Sequence, residues 1–271
     1  MRAGPDITVV AEVSDQPAEG MNVISATLVA DLQQTGLSLR VIPPHRLLRH
    51  LPGLILRPSA LTVFTHGPGL RTVLVTRLLR WLSRTRLVWV ATRPNIDNLP
   101  AFLMGWSTAH HVICNQPKVA LKRAAPEAET IVQPIGMDPS RIGKRTKAEA
   151  PEPPLWPEVQ ARGVPILAHV GHLRQSRGLD RLIEIKAAVG AEAEVVVQAS
   201  PTFTPEPGVL EALQAAGVIV SRRFVADIGQ VYRSCTLYLF PVPEDGEGAI
   251  ELPLTVLEAL ASKTPVIATP F

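Results

Sequence analysis

Short apolar runs alternate with longer runs of helical period along this chain. Ile7–Val13, "ITVVAEV", has the unbroken β-branched character of a strand buried on both sides. Asn22–Gly36 follows with apolar residues at helical spacing and a glycine where a C-cap belongs. The alternation continues through strands at Leu39–Ile42, Ala60–Gly67, Arg86–Thr92, His110–Asn115 and Glu129–Pro134, with a helix over Leu70–Arg84. Between Lys144 and Glu158 the character changes to charges and prolines, "KRTKAEAPEPPLWPE". Proline fixes φ and removes a donor, so this stretch reads as a linker. The alternation then restarts. Strands are expected at Pro165–Val170, Ala193–Ser200, Val218–Val220, Thr236–Phe240 and Pro265–Ala268. Helices are expected from about Leu179, from about Glu206, near Asp227, and from Leu254 to Ser262.

Buried strands alternating with helices form parallel sheets covered on both faces. The expected fold is therefore α/β with two Rossmann-like domains: residues 1–143, a linker over 144–158, and residues 159–271. Ligands of such sheets sit at the carboxyl ends of the strands.

Composition narrows the class. With 271 residues and 46% apolar content, the chain can build two cores. A net charge of +3 tolerates an acidic partner without requiring one. No basic run is interleaved with aromatics, which argues against nucleic acid. Cys114 and Cys235 lie far apart with no metal-ligand spacing, which fits a reducing compartment and argues against a zinc site. Pro5 and Asp6 interrupt the start where a signal peptide needs an apolar core, and no apolar stretch is long enough to span a bilayer. A cytoplasmic protein is the expectation. On the helix Leu70–Arg84, Arg77, Arg80 and Arg84 share one face opposite Leu74, Leu78 and Leu82. That face reads either as a plain surface or as a peripheral contact with an anionic membrane.

Two places suggest chemistry. The turn after Val170 carries His172, Arg174 and Arg177 ahead of a helix that opens near Gly178, an arrangement suited to a diphosphate. The stretch "PVPEDGEGAIELPLTVLEAL" (Pro241–Leu260) is rich in acids. Among them Glu258 sits inside an apolar helical run, and buried carboxylates need partners. The hydroxyls of a nucleotide ribose would serve, and a capping contact or an ion pair within the chain is the alternative.

Three stretches together resemble family 4 of the GT-B glycosyltransferases. They are His110–Ile142, ending in "QPIGMDPSRI"; Leu167–Glu184, "LAHVGHLRQSRGLDRLIE"; and Tyr232–Pro270, "YRSCTLYLFPVPEDGEGAIELPLTVLEALASKTPVIATP". The resemblance implies a GT-B fold and transfer of a sugar from a nucleotide diphosphate sugar to a hydroxyl of a glycan or lipid-linked acceptor. Anomeric configuration is retained, with no metal and no further cofactor. Such hexosyltransferases serve polysaccharide or glycolipid synthesis. Donor-binding positions carried over are Gly20, Gly171, His172, Arg177, Gly178, Glu247 and Glu258. Arg177 takes the place of the family's phosphate-binding lysine, His172 that of its arginine, and Glu258 that of the ribose-binding glutamate. The sugar-facing glutamate falls on Glu251 or on Glu247, and the register of "LPLTVLEAL" favours Glu251. On the acceptor side, His66 resembles the histidine of a strand end, and Arg93 stands where the family places another histidine. Elements that follow in the family would lie beyond Phe271, so the second domain is expected to be incomplete. Two other functions fit the same motifs: a silent nucleotide-sugar-binding subunit, and a GT-B epimerase acting on the nucleotide sugar itself.

Overall fold

The computed structural model describes residues 5–13, 20–65, 70–91, 109–114, 126–133, 136–142, 154–201, 203–242 and 253–269. The chain divides into two compact units, one over Met1–Gly136 and the other over Met137–Ala249 with Pro253–Phe271.

The first unit is a six-stranded parallel sheet of order β2-β1-β3-β4-β5-β6. Its strands are β1 (Ile7–Val10), β2 (Leu39–Ile42), β3 (Leu61–Phe64), β4 (Arg86–Ala91), β5 (His111–Cys114) and β6 (Glu129–Val132). One face carries Val9, Val63, Val88 and Val90, and α1 (Gly20–Gln34) covers it through Val29. The other face carries Ile42, Phe64, Leu87 and Trp89. Against it lie α2 (Leu47–Leu56), through Leu47 and Leu54, and α3 (Leu70–Leu82), through Val73, Val75 and Leu79. Helix α2 has no counterpart in the pattern reading because Pro52 and Gly53 lie inside it. Proline disfavours a helix interior by about 3 kcal/mol, and here the packing of Leu47, Leu54, Leu51 and Ile55 outweighs that. In α3 the inward positions are Val73, Val75, Thr76 and Leu79, whereas Leu74 and Leu82 are exposed. The inward leucine face expected for this helix is thereby corrected. Thr76 tolerates burial because its hydroxyl donates to the Val73 carbonyl at 3.0 Å.

The second unit is a five-stranded parallel sheet of order β11-β10-β7-β8-β9. Its strands are β7 (Ile166–Gly171), β8 (Glu194–Ala199), β9 (Ile219–Ser221), β10 (Leu237–Phe240) and β11 (Val266–Ala268). Helices α5 (Leu179–Val189) and α6 (Val209–Ala215) cover one face through Leu179, Leu182, Val209 and Leu213. The short α4 (Pro157–Gln160), α7 (Ile228–Arg233) and α8 (Leu254–Ala261) cover the other, through Val159, Val231 and Val256.

The unit boundary falls before the proline-rich stretch. Leu155 and Trp156, within the expected linker 144–158, are buried in the second core. Arg141 and Ile142, expected in the first domain, are hydrogen-bonded to α8 and α7. Proline content marks where regular hydrogen bonding stops; it does not mark where packing stops. Among the described residues no helix is long and apolar enough to cross a membrane.

Candidate functional site

In the second sheet the chain runs outward from β7 to β8 and β9, then returns to the other side of β7 as β10 and β11. Neighbours β7 and β10 therefore send their following loops in opposite directions. That reversal opens a crevice at their carboxyl ends, the usual ligand position in such sheets. The loop after β7 spans His172 to Gly178. The loop after β10 is described only through Val242 and again from Pro253.

Strand β7 ends on Gly171 for a steric reason. A Cβ there would lie 2.7 Å from Nε2 of His169, two residues back on the same face. The His169 ring cannot easily give way, because it is 1% exposed and its Nδ1 lies 3.0 Å from the Leu239 carbonyl oxygen. Gly171→Ala is expected to destabilise the second unit by about 1–3 kcal/mol, the range for overpacking. Denaturant unfolding checks this, and an unchanged midpoint would show that the ring has room.

Beyond Gly171 the loop is built on Phe203. The His172 ring packs against it with centroids 4.4 Å apart, and the Arg174 guanidinium sits 4.2 Å from the same ring centroid. Burial, followed by the charges of Arg177 and Arg174, pushes the His172 imidazole down to about 4. His172 is therefore neutral at neutral pH, and the partial positive charge that histidine carries in solution is absent. Its Nδ1 is buried with no partner among the described residues. The loop's charge comes from Arg174 and Arg177. Glu206 ties the loop down: its Oε2 accepts from the Gln175 N–H at 2.8 Å, and its own N–H donates to the Leu173 carbonyl at 2.9 Å. A single 3-10 turn, Gln175–Arg177, then leads to Gly178, whose φ of 67° lies in the left-handed region that glycine adopts at no steric cost. Helix α5 starts on the next residue.

Glu258 is the second centre. It lies on α8 at 2% exposure, as its apolar neighbours imply. Its Oε1 is 3.0 Å from Nε of Arg141, and its Oε2 accepts from the Tyr232 hydroxyl at 2.9 Å. Burial, followed by Tyr238 and Glu258, pushes the Tyr232 phenol well above its ordinary value, so it remains a donor. Glu258 thus has an ion pair and a hydrogen bond within the chain, as the alternative reading of its burial expects. Each carboxylate oxygen keeps a second lone pair, so Glu258 can still accept from a ligand. Arg141 is delivered by the 3-10 turn Pro139–Ile142. That turn is pinned to α7 where Arg233 Nη1 donates to the Ile142 carbonyl at 2.6 Å. Gly229 permits the approach, since a Cβ there would lie 2.3 Å from the same oxygen.

Arg141 and Tyr232 are site residues that the sequence reading passed over. Both lie inside the motif stretches, in "QPIGMDPSRI" and at the head of "YRSCTLYLF", but nothing local assigns them to Glu258. Of the remaining expected residues, Gly20 opens α1 in the first unit. His66, Arg93, Glu247 and Glu251 lie outside the described residues.

Residues 164–271 match the family model described as glycosyl transferases group 1. No curated protein matches the chain. Several solved structures share its fold. HepE from Anabaena, in complex with UDP-glucose, superposes with a TM-score of 0.64 at 16% identity, covering 97% of this chain and 79% of HepE. Sucrose-phosphate synthase from Thermosynechococcus elongatus gives 0.65 at 14% identity, with 97% and 81% covered. The trehalose-6-phosphate synthase OtsA gives 0.61 at 14% identity, with 97% and 83% covered.

Proposed function

From the GT-B fold, and from the match of residues 164–271 to glycosyl transferases group 1, we propose that the chain is a nucleotide-sugar-dependent hexosyltransferase. It would transfer a sugar to a hydroxyl of a glycan or lipid-linked acceptor, retaining the anomeric configuration and using no metal ion. It would act in the cytoplasm or at the membrane surface facing it. The observation that carries this reading is the loop at the carboxyl end of β7, where Arg174 packs on Phe203 and Arg177 closes the turn before α5, the stretch that the resemblance assigns to the donor diphosphate.

In this reading the bond between the anomeric carbon and the diphosphate oxygen breaks as the acceptor oxygen bonds the same carbon. The acceptor proton passes to the departing diphosphate. Negative charge grows on that diphosphate, and Arg177 with the N-terminal end of α5 stabilises it. His172, being neutral, contributes one hydrogen bond and no charge. Gly171 and Gly178 keep side chains away from the phosphates. Glu258 accepts from the ribose hydroxyls with its remaining lone pairs. Glu251, or Glu247 in its place, would contact the sugar. Gly20, His66 and Arg93 are the positions before the linker that the family resemblance assigns to donor and acceptor.

Incubating the full chain with a panel of uridine, guanosine and adenosine diphosphate sugars and a lipid extract tests the proposal. Release of nucleoside diphosphate with transfer to a lipid is expected. Arg177→Ala is expected to lower kcat/KM at least about tenfold, as loss of a charged contact to a developing anion does. Unchanged turnover would remove Arg177 from the phosphate site. A second reading, a silent nucleotide-sugar-binding subunit, draws on the internal engagement of Glu258. Donor binding without sugar release from any nucleotide sugar would favour it.

A further inference from the structure

On the first unit, α2 and α3 set their inner sides on one core cluster, so their outer sides face the same way. Along the outer line of α3 run Leu70, Leu74, Arg77 and Trp81, spaced four, three and four residues apart as one helix face requires. Trp81 is 87% exposed, and Leu70 and Leu74 are each 48% exposed. On α2, Leu48 and Leu56 are more open than those two leucines. A folded domain gains nothing from an open tryptophan and four open leucines on two helices unless something covers them. The charge around them is one-sided. From Leu32 to Ile96 the sequence holds ten arginines and not one aspartate, glutamate or lysine. Arg77 on that line, and Arg71 and Arg80 to either side of it, are exposed.

We propose that the outer face of α2 and α3 docks on an anionic lipid bilayer, with Arg71, Arg77 and Arg80 on the headgroups and Leu74 and Trp81 in the interface. The charge selects the partner class. A surface rich in phosphate suits two helices that hold arginines and no carboxylate of their own. The apolar side chains select the bilayer over a polynucleotide. Tryptophan settles at the boundary of headgroup and hydrocarbon, and leucines reach just below it. A polynucleotide offers such leucines nothing. That the bilayer also holds the acceptor rests on the transferase reading; the docking itself does not.

Sedimentation of the full chain with vesicles decides the matter. The vesicles are phosphatidylcholine alone, or phosphatidylcholine containing about one third phosphatidylglycerol. Binding is expected on the anionic vesicles only, and it should fall as salt rises. A blue shift of tryptophan emission on binding should be absent from Trp81→Ala. That substitution removes an exposed side chain and leaves the fold intact, and it is expected to weaken binding at least fivefold. Arg71→Glu with Arg77→Glu and Arg80→Glu is expected to abolish it. No binding, equal binding to both vesicle types, or an unchanged affinity of Trp81→Ala overturns the proposal. So does capture by polyuridylate in preference to vesicles, or lipid-independent self-association that Trp81→Ala abolishes. Donor binding, measured without vesicles, should be the same in wild type and Trp81→Ala. Its absence in both would count against the transferase reading and leave the docking result standing.

Discussion

Arg141→Met is expected to destabilise the second unit by about 3 kcal/mol or more, and adding Glu258→Leu is expected to restore most of that loss. The asymmetry follows from what each change leaves behind. Glu258 is almost fully enclosed and Arg141 is three-quarters enclosed, at 3.0 Å. Removing the guanidinium alone leaves a carboxylate in an apolar setting with, among the described residues, the Tyr232 hydroxyl on it. Removing both charges leaves an apolar patch against Val256 and Ala259, and one phenol without its acceptor. Buried pairs commonly behave this way: breaking one is costly, and replacing both members is nearly neutral. Amide exchange of α8 and β10 reads this unit separately from the first, which matters because a two-unit chain need not unfold in one step.

The same double variant separates stability from function. If Glu258 holds a ribose, the restabilised protein still fails to bind a nucleoside diphosphate. Recovery of stability together with unchanged nucleotide affinity would leave the pair a structural one and take Glu258 out of the donor site. Additive losses in the two single variants would show instead that Arg141 and Glu258 are not coupled.

What the sequence revealed, and what it hid, follows the range of the interactions involved. Strands such as Leu39–Ile42 and Arg86–Ala91 were legible because β-branched runs between turn signals are a local code. The short helix expected near Asp227 is α7, and the structure adds that the Asp227 carboxylate accepts from the Gly229 N–H at 2.9 Å. The burial of Glu258 could be read from Leu257 and Ala259. Its partner could not, because Arg141 stands 117 residues upstream and no periodicity spans that separation. The charge state of His172 was hidden likewise, since it depends on Phe203 closing over the ring from another loop. Helix α3 shows the limit of counting leucines. Its inward line is Val73, Val75, Thr76 and Leu79, and Thr76 qualifies only by bonding back to its own turn. Helix α2 failed a local rule at Pro52 and formed because the core behind Leu54 required it.

Acidification from pH 7.5 to 4 is expected to remove about 3 kcal/mol of stability through His169 alone. Burial is the main cause that pushes this imidazole down to about 4. The charge of Arg177 acts in the same direction, and the Leu239 carbonyl opposes both. That carbonyl can only accept, so Nδ1 carries the proton and Nε2 is the bare lone pair, enclosed with no partner among the described residues. An unfolded histidine takes up its proton near pH 6.5. Between pH 6.5 and 4 the unfolded chain therefore holds a proton that the folded chain refuses. The stabilisation is fully present above pH 6.5 and drains away as the pH falls toward 4. His172 moves in the same direction and adds to the slope, though less, because solvent reaches part of its ring. His169→Gln keeps an N–H for the Leu239 carbonyl and cannot titrate. Denaturant midpoints for wild type and His169→Gln, taken at half-unit steps across that range, should diverge as the pH rises from 4 and run parallel above 6.5. Parallel curves throughout would mean that His169 accepts its proton in the folded protein as readily as in water. In that case the enclosure of Nε2 behind Gly171 is not as tight as the packing implies.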